Sequence, residues 1–165
     1  MQVIKVKSNA IFPVIVDLLH SGQTARITVT GRSMSPFLKE DRDSVELSKS
    51  SFKEIRKGDI VLVKRTNGIY VLHRVYKKTE ASFFMVGDAQ QWIEGPLYPE
   101  QLVAKVVSVR RKNRDIPCTN KGWRFLSWVW LRLRVFRYKI FKVYSIMKKC
   151  WAKPNNEKSG ESHEN

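Results

Sequence analysis

Only two of the 165 residues are cysteine, Cys118 and Cys150, too few for a disulfide framework or a four-cysteine zinc site. They leave the redox compartment open. Long apolar runs are missing too. No stretch longer than nine residues, Ser8 to Val16, is free of Asp, Glu, Lys and Arg, and a membrane-spanning helix needs about 20 apolar residues. The first residues, Met1 to Lys7, lack the apolar core and small-residue cleavage site of a secretory leader. These absences exclude a secreted disulfide scaffold and a polytopic membrane protein. There is no internal repeat, and no cofactor or metal is expected.

Acid is scarce, and most of all in one region. The chain carries 31 Lys and Arg against 15 Asp and Glu, a net charge of +16. Residues 1–104 hold 15 basic and 11 acidic side chains, whereas residues 105–153 hold 15 basic ones and a single acid, Asp115. The last twelve residues hold one Lys and three Glu and have nothing to bury. The chain therefore divides into a nearly balanced body (1–110), a basic aromatic segment (111–153) and a polar tail (154–165), the tail expected to be disordered. With 42% hydrophobic residues, the whole is not a disordered polycation.

Within the body, Ile11, Val14, Ile15, Leu18 and Leu19 recur at helical spacing, and Ser21-Gly22 ends the pattern. Pro13 is expected in the first turn, where proline is tolerated. The period then changes to two. Short strands are expected at 26–30, 43–47, 59–64, 69–76, 82–86 and 102–110, all rich in β-branched residues. Asn67-Gly68 between two of them is a strong hairpin signal. The expected fold is mainly β: a coiled, partly open barrel or sandwich with one N-terminal helix and a C-terminal basic amphipathic helix.

Chemistry concentrates around Gly31-Arg32-Ser33-Met34-Ser35-Pro36, directly after a strand. Gly31 permits an unusual backbone angle, and Pro36 fixes the chain just beyond the turn. Such a turn can hold Ser33 rigidly beside backbone N–H groups, as a nucleophilic serine requires once a base takes its proton. Serine in a Gly/Pro turn is, more commonly, only a turn residue. Of three histidines, His20 ends the expected helix, His163 lies in the tail and His73 sits mid-strand, where a lone His is more often a core residue than a catalyst. On a two-residue period His73 shares a face with Ile69, Val71 and Val75, while Arg74 points the other way with Tyr70, Leu72 and Tyr76. Burial there keeps an imidazole neutral and able to accept a proton near pH 7. Two carboxylates could orient it: Asp88, after Gly87 at a strand end, and Glu94, in the same loop.

The order of these blocks is informative. Gly31-x-Ser33-Met34-x-Pro36, Lys57-Gly58-Asp59-Ile60-Val61, His73-Arg74-Val75, Gly87-Asp88 and Glu100 to Val106 follow one another along residues 22–110. This succession resembles the signal peptidase I superfamily, in its Ser–His rather than its Ser–Lys branch. The resemblance implies that Ser33 attacks a peptide carbonyl, that His73 is the general base and that Asp88 is the acid of the Gly-Asp block. A second acid of that branch, normally Asp, falls at Glu94. A hydroxyl two residues before the nucleophile serves the oxyanion in some members. Gly31 stands there, so the backbone N–H of Ser33 has to serve. Related repressor-type peptidases use Lys as base and carry a DNA-reading domain; position 73 is His here, and 165 residues are not expected to hold the extra domain.

In the basic segment, Phe125, Leu126, Val129, Leu133, Phe136, Ile140, Val143, Tyr144, Met147 and Trp151 recur every three or four residues. At helical spacing they fall within an arc of about 120°. Lys121, Arg124, Arg132, Arg134, Arg137, Lys139, Lys142, Lys148 and Lys149 lie away from its centre, and Trp128, Trp130, Leu131 and Phe141 widen the apolar side. Such a helix either packs on the β core or lies in a membrane interface, and the lack of any acid favours the interface. Nucleic-acid binding would explain the charge and not the stripe. The expectation is a serine endopeptidase that removes a leader or signal segment from a precursor peptide. Residues 121–151 would hold it on an anionic membrane at the cytoplasmic face, in place of the family's N-terminal spanning helix. The competing expectation is a non-catalytic, membrane-associated peptide-binding module on the same fold. An oligomeric state is not readable from the sequence.

Overall fold

The computed structural model describes residues 8–137 together with residues 139, 140, 142, 143, 146 and 147. The expectations for the first seven residues, the polar tail, Phe141, Tyr144, Lys148, Lys149, Cys150 and Trp151 lie outside the described residues.

Helix α1 (Ser8–His20) opens the described chain. Phe12, Ile15 and Leu19 form its buried face, and Phe12 stacks on Tyr70 with ring centroids 4.3 Å apart. Ile11, Val14 and Leu18, expected in the apolar set, are exposed. The stripe lies one residue round from the expected one because Phe12 contributes the large contact with the sheet. Pro13 is the sixth helical residue and so lies in the second turn, not the first. Gly22, at φ +80°, ends the helix and donates its N–H to the Leu19 carbonyl.

Eight strands form one open antiparallel sheet: β1 (Ala25–Thr28), β2 (Asp43–Ser48), β3 (Ile60–Lys64), β4 (Tyr70–Lys78), β5 (Phe83–Val86), β6 (Glu94–Leu97), β7 (Leu102–Arg111) and β8 (Arg114–Pro117). Their order is β1-β2-β7-β3-β4-β5-β6, and β8 pairs with β7. The fold is mainly β with helices towards both ends of the described chain. The β3–β4 hairpin turns at Asn67-Gly68, with Gly68 at φ +80°. The strands β6 (Glu-Gly-Pro-Leu) and β8 (Arg-Asp-Ile-Pro) were not expected. Both lie at sheet edges, where proline and charge are tolerated, and cross-strand pairing rather than propensity forms them. Through β8 the sheet continues to Pro117, beyond the 110 boundary suggested by charge.

Apolar side chains cover both faces of the sheet. On one, α1 packs with Val45, Leu47, Ile60, Leu62, Val106 and Val109, and on the other Ile55, Val61, Val63, Val75, Phe83, Met85 and Leu97 cluster. The apolar run Ile60–Val63 of β3 is buried throughout because it serves both. On β4, Tyr70 and Leu72 face the first cluster, and Val71 and Val75 face the second.

Helix α2 (Lys121–Arg132) begins at Asn120, whose side chain accepts the N–H groups of Gly122 and Trp123. A 3-10 turn, Leu133–Phe136, follows directly. Three residues per turn instead of 3.6 breaks the angular phase, so the single stripe expected across 121–151 is not continuous. The side set against the body is also not the apolar stripe. Ser127, Leu131 and Arg137 are buried, whereas Phe125, Leu126, Trp128, Phe136, Ile140, Val143 and Met147 are exposed. Trp130 and Leu131, expected to widen the apolar side available to a membrane, lie on the body side instead. Arg137, expected among the outward cations, is fully buried.

Candidate active site

Ser33 lies in the loop joining β1 to β2. Met34 and Leu38 anchor that loop in the core, with the Leu38 N–H donated to the Met34 carbonyl at 2.9 Å. Gly31 takes φ +80°, an angle of the unusual kind that glycine permits, and its N–H reaches Glu40 Oε1 at 2.9 Å. The loop closes on the Asp43 carboxylate, which accepts the Lys39 N–H and the guanidinium groups of Arg42 and Arg111. Burial pushes the Asp43 carboxyl up, but these donors outweigh it and hold the pKa at about 2. The peptide bonds Ser35–Pro36 and Gly95–Pro96 are cis.

The Ser33 carbonyl accepts the Ala89 N–H at 2.8 Å, which binds this loop to the segment after β5. Gly87 makes the approach possible: a Cβ there would stand 2.8 Å from the Ser33 carbonyl oxygen and 2.5 Å from Gln90 Oε1. Arg74 pairs with Val86 across β4 and β5. His73 precedes Arg74 on β4, and Gly87 follows Val86 just past the end of β5. The Ser33 carbonyl thus touches the segment that follows β5; Met34 and Leu38 of the same loop pack in the first cluster, whereas Val71 and Val75, on either side of His73, face the second. No hydrogen bond joins Ser33 Oγ to His73, and the Ser33 N–H is donated to no described residue.

His73 is 4% exposed, with Nδ1 buried and 3.7 Å from Glu94 Oε2. Burial lowers the imidazole pKa. The Glu94 carboxylate pulls it back up in part, and the Arg65 guanidinium pushes it down. Glu94, expected in a loop, opens β6 and pairs with Met85. Its carboxylate receives a two-pronged pair from Arg65, Nε and Nη2 each at 2.5 Å.

Asp88 occupies a different environment. Its carboxylate takes Arg74 Nε at 2.9 Å and Nη2 at 2.7 Å, with both side chains fully buried. Arg74 also donates Nη1 to the Gly58 carbonyl and to Ser127 Oγ, and lies 4.7 Å from the Phe37 ring centroid. The carboxylate beside the imidazole is therefore Glu94, and Asp88 is engaged by Arg74 on the neighbouring position of the strand. The alternation that turns His73 one way turns Arg74 the other.

The C-terminal segment fastens this assembly. Trp130 Nε1 donates to the Asp88 carbonyl at 3.0 Å, Arg134 Nη1 to the Gln91 carbonyl at 2.6 Å, and Arg137 Nη1 to the carbonyls of Gly87 and Gln90 at 2.9 and 3.0 Å. Phe37, from the Ser33 loop, packs edge-on against Trp123 and tilted against Trp130. Burial brings the Arg137 pKa down to about 10, against the pull of Asp88. Sequence reasoning missed Arg65, Trp130 and Arg137 as site-supporting residues. A lone Arg in a basic run carries no mark that separates a buried carbonyl-binding role from a solvated one.

Among the described residues no cluster of three His, Cys, Asp or Glu side chains could hold a metal ion, and no helix is long and apolar enough to cross a membrane. Cys118 is half-buried and burial raises its thiol pKa to about 11, so it offers no thiolate at neutral pH. Comparison with protein-family models and with curated proteins finds no match.

Proposed function

We propose that the protein is a serine endopeptidase of signal peptidase type, in which Ser33 is the nucleophile and His73 the general base. The observation that carries this reading is the meeting at Gly87. The Ser33 carbonyl lies against Gly87 just past the end of β5, β5 pairs with the strand that carries His73, and the imidazole has Glu94 beside its Nδ1. A buried, neutral imidazole backed by a carboxylate can take the Ser33 Oγ proton as that oxygen adds to a peptide carbonyl. It can then return the proton to the leaving amine before water hydrolyses the acyl-enzyme. The unengaged Ser33 N–H would face the oxyanion. Asp88 supports the site through Arg74 rather than by touching the imidazole.

The substrate is a precursor peptide bearing a leader or signal segment, processed at an anionic membrane on its cytoplasmic face. The exposed Phe125, Leu126, Trp128 and Phe136, with Lys121, Arg124 and Arg132 alongside, suit a segment lying in a lipid interface. The non-catalytic peptide-binding reading draws on one observation, the missing bond between Ser33 Oγ and His73. Such bonds commonly tighten only when substrate arrives. The experiment is cleavage of an apolar leader peptide by the full chain on vesicles containing phosphatidylglycerol. Ser33→Ala and His73→Ala are expected to lower the rate by about 10²-fold or more, and undiminished cleavage by Ser33→Ala would end the peptidase reading.

A further inference from the structure

Three cations face one cavity at the outer end of the C-terminal clamp. The cavity, of about 280 Å³, is lined by Lys57, Tyr76, Trp128, Arg132, Arg134 and Val135, with no carboxylate among its walls. Lys57 comes from the turn before β3, Tyr76 from β4, and the remainder from α2 and the 3-10 turn after it. Aromatic rings hold the cations in place. Lys57 Nζ and the Arg134 guanidinium lie 5.6 and 5.3 Å from the Tyr76 ring centroid, and the Arg132 guanidinium lies 5.2 Å from that of Trp128. None of the three is paired with an acid among the described residues. Lys57 and Arg132 are exposed and Arg134 is half-buried with Nη1 on the Gln91 carbonyl, so an anion seated in the hollow would meet all three cations at short range.

We infer that this cavity binds the phosphodiester headgroup of an anionic phospholipid. Arginine pairs with phosphate oxygens through its planar fork, and Lys57 adds a point charge from the opposite wall. The lipid, rather than a free phosphate, is indicated by the rim: Trp128 is 53% and Val135 70% exposed, and exposed Phe125 and Phe136 belong to the same segment. Such a rim suits acyl chains beyond the headgroup. The inference rests on the proposed membrane attachment and makes it specific, because Lys57 belongs to the β body and would have no part in adhesion by an amphipathic helix alone.

The test is the partition of the full chain onto phosphatidylcholine vesicles with and without phosphatidylglycerol, for the parent, Lys57→Gln, Arg132→Gln and, as a charge-matched control, Arg124→Gln. Generic attraction is worth about fivefold per cation near the surface. The control is expected to lose no more than that, and Lys57→Gln and Arg132→Gln about thirtyfold each, as loss of a charge-assisted bond predicts. Equal losses in all three variants would overturn the pocket and leave general membrane attachment standing. No partition by the parent would overturn both. Displacement from vesicles by inorganic phosphate, and not by chloride at equal ionic strength, would reassign the cavity to a free anion and overturn the lipid.

Discussion

Glu94 Oε2 stands 3.7 Å from the buried Nδ1 of His73, whereas Asp88 gives both its oxygens to Arg74. Two carboxylates six residues apart thus serve two consecutive residues of β4 that point to opposite faces. Each answers a different physical demand. Glu94 offers a charge to an imidazole that has to accept and release a proton. Asp88 neutralises a guanidinium that has no water round it.

Substituting these acids is expected to separate the roles. Glu94→Gln should lower kcat/KM for peptide cleavage by about tenfold to a hundredfold with a small change in Tm, since it removes the charge facing His73. Asp88→Asn should cost about 3 kcal/mol of stability by leaving Arg74 buried and unpaired. Thermal unfolding and steady-state kinetics on the two variants give the comparison.

The pH dependence follows from the same contact. His73 acts as a base only when neutral, and burial lowers its pKa. The acid limb of kcat/KM is therefore expected to have its midpoint below the ordinary histidine value of about 6.5. Glu94→Gln removes a charge that raises the pKa, so it should move that midpoint lower still. Stability has a matching sign. The unfolded chain protonates His73 more readily, so the contribution is complete above about pH 6.5 and is lost as pH falls through the folded value.

Gly87→Ala tests the approach of the Ser33 loop. The added methyl would meet the Ser33 carbonyl at 2.8 Å, and backbone has to move to relieve it. Cleavage is expected to fall at least about tenfold, because a small misplacement at a reacting centre is costly. Exchange of the Ala89 amide should quicken as its bond to Ser33 loosens. An unchanged exchange rate would contradict the contact.

The strands with β-branched alternation, the Asn67-Gly68 hairpin, the unusual backbone angle at Gly31 and the opposite facing of His73 and Arg74 were all legible from local rules. Those features depend on neighbours along the chain. The β6 and β8 edges were not legible, since their Pro-containing segments become strands only by pairing with β5 and β7. The partition of Asp88 and Glu94 was hidden for a similar reason. It depends on Arg74 meeting Asp88, and on Arg65, 29 residues before Glu94, reaching across to it. The docking side of the C-terminal segment was obscured because polar groups, Ser127 of α2 and Arg137 beyond the 3-10 turn, go inward to meet Arg74 and the Gly87 and Gln90 carbonyls, against the ordinary apolar-inward pattern.

That clamp gives a further expectation. Arg137→Gln removes the donors to the Gly87 and Gln90 carbonyls. Unsatisfied buried carbonyls should cost about 2 kcal/mol, and amide exchange across residues 87–91 should accelerate. Restoration of slow exchange by Arg137→Lys would show that charge alone suffices. The paired geometry predicts only partial restoration.

The account stands most directly on whether Ser33 is activated by His73. The decisive measurement is the rate at which a serine-directed acylating probe modifies the folded chain, with the site located by peptide mass spectrometry. Modification is expected at Ser33, lost in Ser33→Ala and slowed about 10²-fold or more in His73→Ala. A chain that stays unmodified at Ser33, or is modified at the same rate without the imidazole, would contradict the account.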